Sequence, residues 1–432
     1  MPRVKLSVIG AGSFVFGPSV LAQAFCENRQ DGLEISLHDL DHESIQLMAR
    51  IGERMARQHG VDSIVTHTTD RKKSLEGASF VIHSAAPQLI SRYLRDCDIV
   101  ERLAPGEYLG EFGGINGISY TARQVALVES IVADMKEVCP DAWLFCVANP
   151  MPRVVQAAQQ LGIRSVGFCS ASSEGFDFLW RIFENRPEPY PWPRARQRWR
   201  TRMAGLNHFS WLVELRDRTT GTDLYPTLRE KIAAGATAGN PWCESFVGET
   251  GYLLLPNDHH IKDFLPPRGP SHRRYTPAHG TAEERQERME ILRQTADGER
   301  PWIHLVEHPS WERTLDLVGA LAFGREACFN SLNLSNTGQI PSLPQGVFVE
   351  TSASAGADGI HPDTIDLPET VQALTRQTAR VTDAMVRATL GRSKKLLREV
   401  VELDPTILNK EAAYQAVLAC LEEHCDLVPA YS

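Results

Sequence analysis

Paired cysteines are missing from this 432-residue chain: its nine cysteines are odd in number and none stands in a close pair. That argues against a disulfide scaffold and for reduced thiols in a cytoplasmic compartment. No apolar run is long enough to span a bilayer, and the first apolar stretch is short and ends in a glycine turn, so neither a membrane span nor a signal peptide is read. Basic charge is in deficit too. The 45 lysines and arginines against 54 aspartates and glutamates leave a formal net charge of −9, which makes nucleic acid and anionic membranes poor partners. The one locally basic stretch, residues 194–202, is read as a solvated helix face or an interface. No internal repeat or extended low-complexity tract is visible, and the length allows two subdomains with sizeable cores.

What is present at the N-terminus is more specific. The apolar run Val4–Ile9, the turn Gly10-Ala11-Gly12-Ser13-Phe14 and the acid Asp39 closing a second apolar run read as the βαβ start of a dinucleotide-binding fold. Gly10 permits the tight turn out of the strand. Gly12 lets the backbone approach a pyrophosphate, and a helix beginning near Ser13, with Phe14 in its first turn, aims its free N–H groups at the phosphates. Asp39 stands where a carboxylate accepts hydrogen bonds from the adenosine ribose. The third glycine of the usual spacing is absent: Val15 occupies its position, and Gly17 is the nearest candidate.

Apolar strands then alternate with amphipathic helices. Strands are predicted at Val4–Ile9, Leu33–Leu37, Ser79–Ser84, Trp143–Ala148 and, more briefly, Arg164–Cys169, with helices at Ser44–Gln58, Thr121–Val138 and Arg153–Leu161. This is the pattern of an α/β protein with a Rossmann-like, doubly wound parallel sheet. Ligands of such sheets lie beyond the carboxyl ends of the strands, so Ala85-Ala86-Pro87, Asn149-Pro150 and Cys169 are expected to face one crevice. The proline-rich segment Asn185–Pro193 breaks the pattern. Beyond it come a strand-like Gln345–Thr351 and amphipathic helices from Pro368 onward.

Several segments along essentially the whole chain resemble glycoside hydrolase family 4, the nicotinamide- and divalent-metal-dependent glycosidases. They are Ile9–Ser13, Gly113-Gly114-Ile115-Asn116, Ala148-Asn149-Pro150-Met151, Val166–Cys169, Gly205-Leu206-Asn207-His208, Gly251-Tyr252 with Asp258-His259-His260, and Asn333–Ile340 with Val349-Glu350. The resemblance implies an NAD-binding domain over residues 1–185 and an α+β domain over 186–432 for substrate, metal and oligomerisation, in a homodimer or homotetramer. It also implies NAD+ and Mn2+ or another divalent metal as cofactors, and a reaction outside the usual two-carboxylate hydrolysis of glycosides: oxidation at C3 of the sugar, loss of the C2 proton, elimination, addition of water and return of the hydride.

Residue by residue, the resemblance puts Cys169 and His208 on the metal, Asn149 and Asn207 on sugar hydroxyls, Glu111 near the substrate and Tyr252 at the C2 proton. Asp258, or His260, assists the leaving group. Each position has a plainer reading. Buried cysteines are usually inert, Asn149 could cap the helix that follows it, Tyr252 could pack on the core, and Asp258 could be a solvated loop charge. Ser170 stands where many relatives carry His or Asn, and Cys169-Ser170-Ala171-Ser172 lacks the sequence associated with phosphorylated sugars, which favours a non-phosphorylated α-glycoside or a uronide. A lactate/malate-type 2-hydroxy-acid dehydrogenase shares this fold, but no His with an Asp partner and clamping Arg stands out. A non-catalytic NAD sensor gives no reason for Cys169 and His208.

Overall fold

The computed structural model describes residues 3–185, 198–267, 282–306 and 312–432. Twelve strands form one continuous sheet: β1 (Val4–Ile9), β2 (Leu33–His38), β3 (Ser63–Thr68), β4 (Phe80–His83), β5 (Trp143–Cys146), β6 (Ser165–Gly167), β7 (Trp199–Leu206), β8 (Phe209–Asp217), β9 (Leu253–Leu255), β10 (Ala327–Ser335), β11 (Phe348–Gly356) and β12 (Gly359–Pro362). Their order is β3-β2-β1-β4-β5-β6-β10-β11-β7-β8-β9, with β12 also on β11. The first six are parallel in the doubly wound order; from β6 onward every pairing is antiparallel.

The parallel half follows from burial on both faces. Every residue of β4 is buried, as are the last four of β1 and of β2; β4 reads as an apolar run, whereas β1 and β2 alternate and their buried Ser7 and Ser36 are satisfied by Ser74. The helix His42–His59 behind β2 sets Ile45, Met48 and Met55 inward at helical spacing. Asp41 caps its start by accepting from Ser44 N, and Gly60, in the left-handed region, ends it.

Four expectations are corrected. The first helix begins at Phe16, not near Ser13, because the Ser13 hydroxyl accepts from the backbone N–H groups of Val15 and Phe16 at 3.3 Å. A polar strand, β3, extends the sheet edge beyond β2 with no apolar signature to announce it. The basic stretch 194–202 enters β7 from Trp199, whose side chain is fully buried, so it is not a helix face there; residues 194–197, like 186–193, lie outside the described residues. The strand expected at Gln345–Thr351 runs instead over Phe348–Gly356. No helix among the described residues is long and apolar enough to cross a membrane, and none of the nine cysteines is in a disulfide.

Candidate active site

The register places one row of residues across the sheet, His38–Ile9–His83–Cys146–Gly167–Asn333–Glu350–Gly205–Ser210–Leu255. The loops that leave this row at the carboxyl ends of the parallel strands carry the candidate residues. Gln124 ties two of them together, its amide nitrogen donating to Asn149 O at 2.7 Å and Ala85 O at 3.3 Å, so both loops border one crevice.

At the dinucleotide end, Gly10 adopts φ +89°, and a Cβ there would stand 2.7 Å from Ala85 N; a Cβ on Gly12 would stand 2.9 Å from the Asp39 carboxylate. These are cradles that side chains would fill. Gly17 takes the close-packing role of the missing third glycine, since a Cβ on it would lie 2.4 Å from Ala11 O. Asp39 accepts from Gly12 N at 3.0 Å and Asp41 N at 3.2 Å, bracing the turn from the position where a ribose would be read. Asp39→Ala should therefore weaken NAD+ binding by roughly 1.5–3 kcal/mol, the scale of lost charge-assisted hydrogen bonds. Titration of NAD+ by calorimetry measures this, and unchanged affinity places the ribose contact elsewhere.

At the other end, Cys169 Sγ lies 3.1 Å from His208 Nε2. β10 and β11 separate the strands that carry them by three strand spacings, about 14 Å in the sheet, so the contact requires the segment after β6 and the β7–β8 turn to bend toward each other above the row. His208 sits in the two-residue turn between β7 and β8 with φ +134°. A non-glycine residue there is strained, and such strain persists only where the surroundings over-determine it. His208 is buried, and burial, then His260 and His259, hold its imidazole well below the ordinary histidine range. It is neutral near pH 7 and keeps a lone pair.

The pair fits a shared divalent ion. A thiolate and a neutral imidazole 3.1 Å apart are a donor set suited to one divalent ion. His208 Nδ1 and both side-chain polar atoms of the fully buried Asn207 have no hydrogen-bond partner among the described residues, as polar groups awaiting a ligand do. Among the described residues no cluster of three or more His, Cys, Asp or Glu side chains could hold a metal, so this pair leaves coordination positions open, as a catalytic ion requires.

Next to it, Asn149 Nδ2 donates to Glu111 Oε1 at 3.0 Å. Asn149 does not cap the following helix, whose N-cap is Pro150. Glu111 is buried, and desolvation pushes its carboxyl up to about 7, against the lowering by Asn149. Its neighbour Phe112 packs on His208 with ring centroids 4.6 Å apart, which brings the Asn149–Glu111 and Cys169–His208 pairs into one site.

Phe112 itself is pinned by Asp263, whose carboxylate accepts from Phe112 N at 2.9 Å, and it lies under the Arg153 guanidinium. The His260 ring lies 4.5 Å from His208, and burial holds it down to about 4. A cavity of about 330 Å3 opens alongside, lined by Asp177, Arg181, Asn240, Asn257 and His259 among others.

Two candidates are drawn elsewhere. Both Asp258 oxygens accept from Trp242 N, at 2.9 and 3.1 Å, and one also accepts from Cys243 N at 2.9 Å, so this carboxylate caps the helix Pro241–Thr250. Tyr252 stacks edge-on to Tyr225 with centroids 5.5 Å apart. It precedes β9, about 10 Å along the strand from Leu255, the residue in the site's row. Phe112 and Asp263 escaped sequence reasoning because their part is a backbone contact between segments far apart in the chain. His260 was legible in sequence, with Asp258, as a group to assist the leaving group; its contact with His208 was not.

Two family models match this sequence: Family 4 glycosyl hydrolase over residues 5–181 and Family 4 glycosyl hydrolase C-terminal domain over residues 203–407. An alpha-galactosidase of Bacillus subtilis (strain 168) is 24% identical over 99% of each chain, and an alpha-glucosidase of Erwinia rhapontici is 25% identical over 93% of each. In fold, the chain is similar to a 6-phospho-alpha-glucosidase from gut microorganisms solved in complex with NAD and Mn2+, with a TM-score of 0.79, 18% identity and full coverage of both chains.

Proposed function

Because the chain belongs to family 4 of the glycosyl hydrolases, we propose that this crevice cleaves a glycosidic bond with NAD+ at the Gly10–Gly12–Asp39 end and a divalent ion, Mn2+ or a similar metal, at Cys169 and His208. The observation that carries the reading is the 3.1 Å Cys169–His208 contact beside the Asn149–Glu111 pair. NAD+ held at the Gly10–Gly12–Asp39 end would supply reversible hydride chemistry at a sugar carbon, and a metal held by Cys169 and His208 would supply Lewis-acid polarisation of sugar oxygens. The remaining work falls to the chain's own residues.

Asn149 and Asn207 orient sugar hydroxyls. Glu111, with a carboxyl near neutrality and one oxygen held by Asn149, exchanges the C2 proton, since a base whose pKa lies near the working pH combines the ionised form with sufficient basicity. This reading leaves Tyr252 and Asp258 out of the set, since Asp258 is engaged by Trp242 N and Cys243 N and Tyr252 packs on Tyr225. The polar cavity beside His259 accommodates the leaving group.

The substrate we favour is an α-linked, non-phosphorylated glycoside or uronide, on the strength of the sequence after Cys169. The division of the chain at residue 185, a cytoplasmic location and a homodimeric or homotetrameric state belong to the same proposal.

Product formed in heavy water should carry deuterium at C2, with no net NADH. Glu111→Gln should lose turnover and this exchange while still binding NAD+ and Mn2+. Persistent exchange in that variant assigns the base to another group such as His260. Absence of exchange in the parent enzyme removes elimination altogether, and stoichiometric NADH would make the protein a dehydrogenase.

A further inference from the structure

Glu350 is a fully buried carboxyl that the chemistry above leaves unused. It lies in the transverse row between Asn333 and Gly205, at the centre of the span that the Cys169–His208 contact crosses. Its Oε1 accepts from Asn333 Nδ2 at 3.4 Å, and its Oε2 is 2.7 Å from Ser210 Oγ. Ser210 Oγ is also 2.9 Å from Leu206 O. Leu206 and Ser210 are the residues on either side of the Asn207–His208–Phe209 turn segment, so this hydroxyl staples the hairpin at the base of the strained turn.

The protons must balance. A serine hydroxyl carries one hydrogen, while the Leu206 carbonyl has a second donor in His208 N at 2.7 Å and Glu350 is also bonded by Ser331. With its proton kept, Glu350 donates to Ser210, and the Ser210 hydrogen is then available to Leu206 O. Burial favours that form, raising the Glu350 carboxyl above its ordinary range.

We propose that Glu350 is a positioning residue: as the neutral acid it holds Ser210, and through Ser210 it locks the turn that aims His208 Nε2 at Cys169. The inference rests on the reading of Cys169 and His208 as the metal pair. The glycine beside Glu350 in the row serves it: Gly205 adopts φ +159°, and a Cβ there would stand 2.5 Å from Phe209 O, so the hairpin closes tightly over the row.

The test is Mn2+ binding by calorimetry on the full chain, without NAD+ or sugar, alongside NAD+ titration. Ser210→Ala and Glu350→Ala should each weaken Mn2+ binding by roughly 10-fold or more, as loss of a group that orients a metal ligand does, with NAD+ affinity unchanged. Glu350→Gln, which keeps a donor toward Ser210 and an acceptor toward Asn333, should restore affinity close to the parent value. If Glu350→Ala does not fold, Ser210→Ala decides. Parent-like Mn2+ affinity in a folded Ser210→Ala overturns the inference. So does a Glu350→Gln as damaged as Glu350→Ala, since the negative charge would then be what matters. Should Cys169→Ser bind Mn2+ as tightly as the parent, the metal reading itself falls, and this inference with it; a Cys169-dependent site indifferent to Ser210 sinks only the positioning role.

Discussion

Cys169→Ser and His208→Ala should each strip the protein of its divalent metal and lower turnover by more than roughly 100-fold, the upper end of what losing a mere supporting contact costs. The two side chains come from β6's exit and the β7–β8 turn, where His208 meets Cys169 and the rings of Phe112 and His260. Serine is nearly isosteric with cysteine but far less acidic, so it removes the thiolate without opening a cavity. Alanine at 208 also relieves none of the turn's geometry, so the hairpin should persist. Metal content after dialysis, NAD+ titration and circular dichroism separate the cases: loss of metal and turnover with fold and NAD+ affinity retained is expected. Near-normal activity in either variant would make the pair a packed core contact.

A second large effect should come from a residue that touches no ligand. A Cβ on Gly113 would stand 2.1 Å from Asp263 O, and one on Gly110 would stand 2.2 Å from Asp263 Oδ1. The segment holding Glu111 and Phe112 therefore lies directly on Asp263, which accepts from Phe112 N. Gly113→Ala cannot be absorbed by a rotamer change because the obstructing atom is backbone. It should cost at least the roughly 1–3 kcal/mol of overpacking and displace Glu111 from Asn149 and Phe112 from His208. Denaturant unfolding should show the loss, and the surviving folded fraction should bind Mn2+ and substrate poorly. Gly248→Ala is the control: it lies in the helix Pro241–Thr250 with nothing within 4 Å of the added carbon, where alanine is neutral or stabilising. Equal behaviour of the two variants would show that the Gly110–Gly114 contact does not set the site.

Periodicity and local chemistry determined a good deal of this protein from its sequence alone. Apolar runs in β4 and β5 and apolar residues at alternate positions in β1 and β2 marked these four strands, the Gly10–Gly12 turn with Asp39 marked the dinucleotide end, and the motif around Cys169 and around His208 named two residues far apart in the chain. Those signals are local, and each is carried by a few adjacent residues. What only the tertiary structure decided depends on which distant segments share an edge of the sheet. The contact of Cys169 with His208 requires β10 and β11, from late in the chain, to insert between β6 and β7. Asp258 resembled a site acid in sequence, but the N–H groups that occupy it belong to a helix starting 17 residues earlier, at Pro241. Asp263 gave no sequence signal and Glu350 entered only within the Val349-Glu350 resemblance, because a buried carboxyl acquires its role from the partners that surround it, and in both cases these come from another strand or loop: Phe112 for one, Ser210 and Asn333 for the other. Side-chain type is written along the chain; protonation, orientation and partnership arise only where the fold removes water and supplies neighbours.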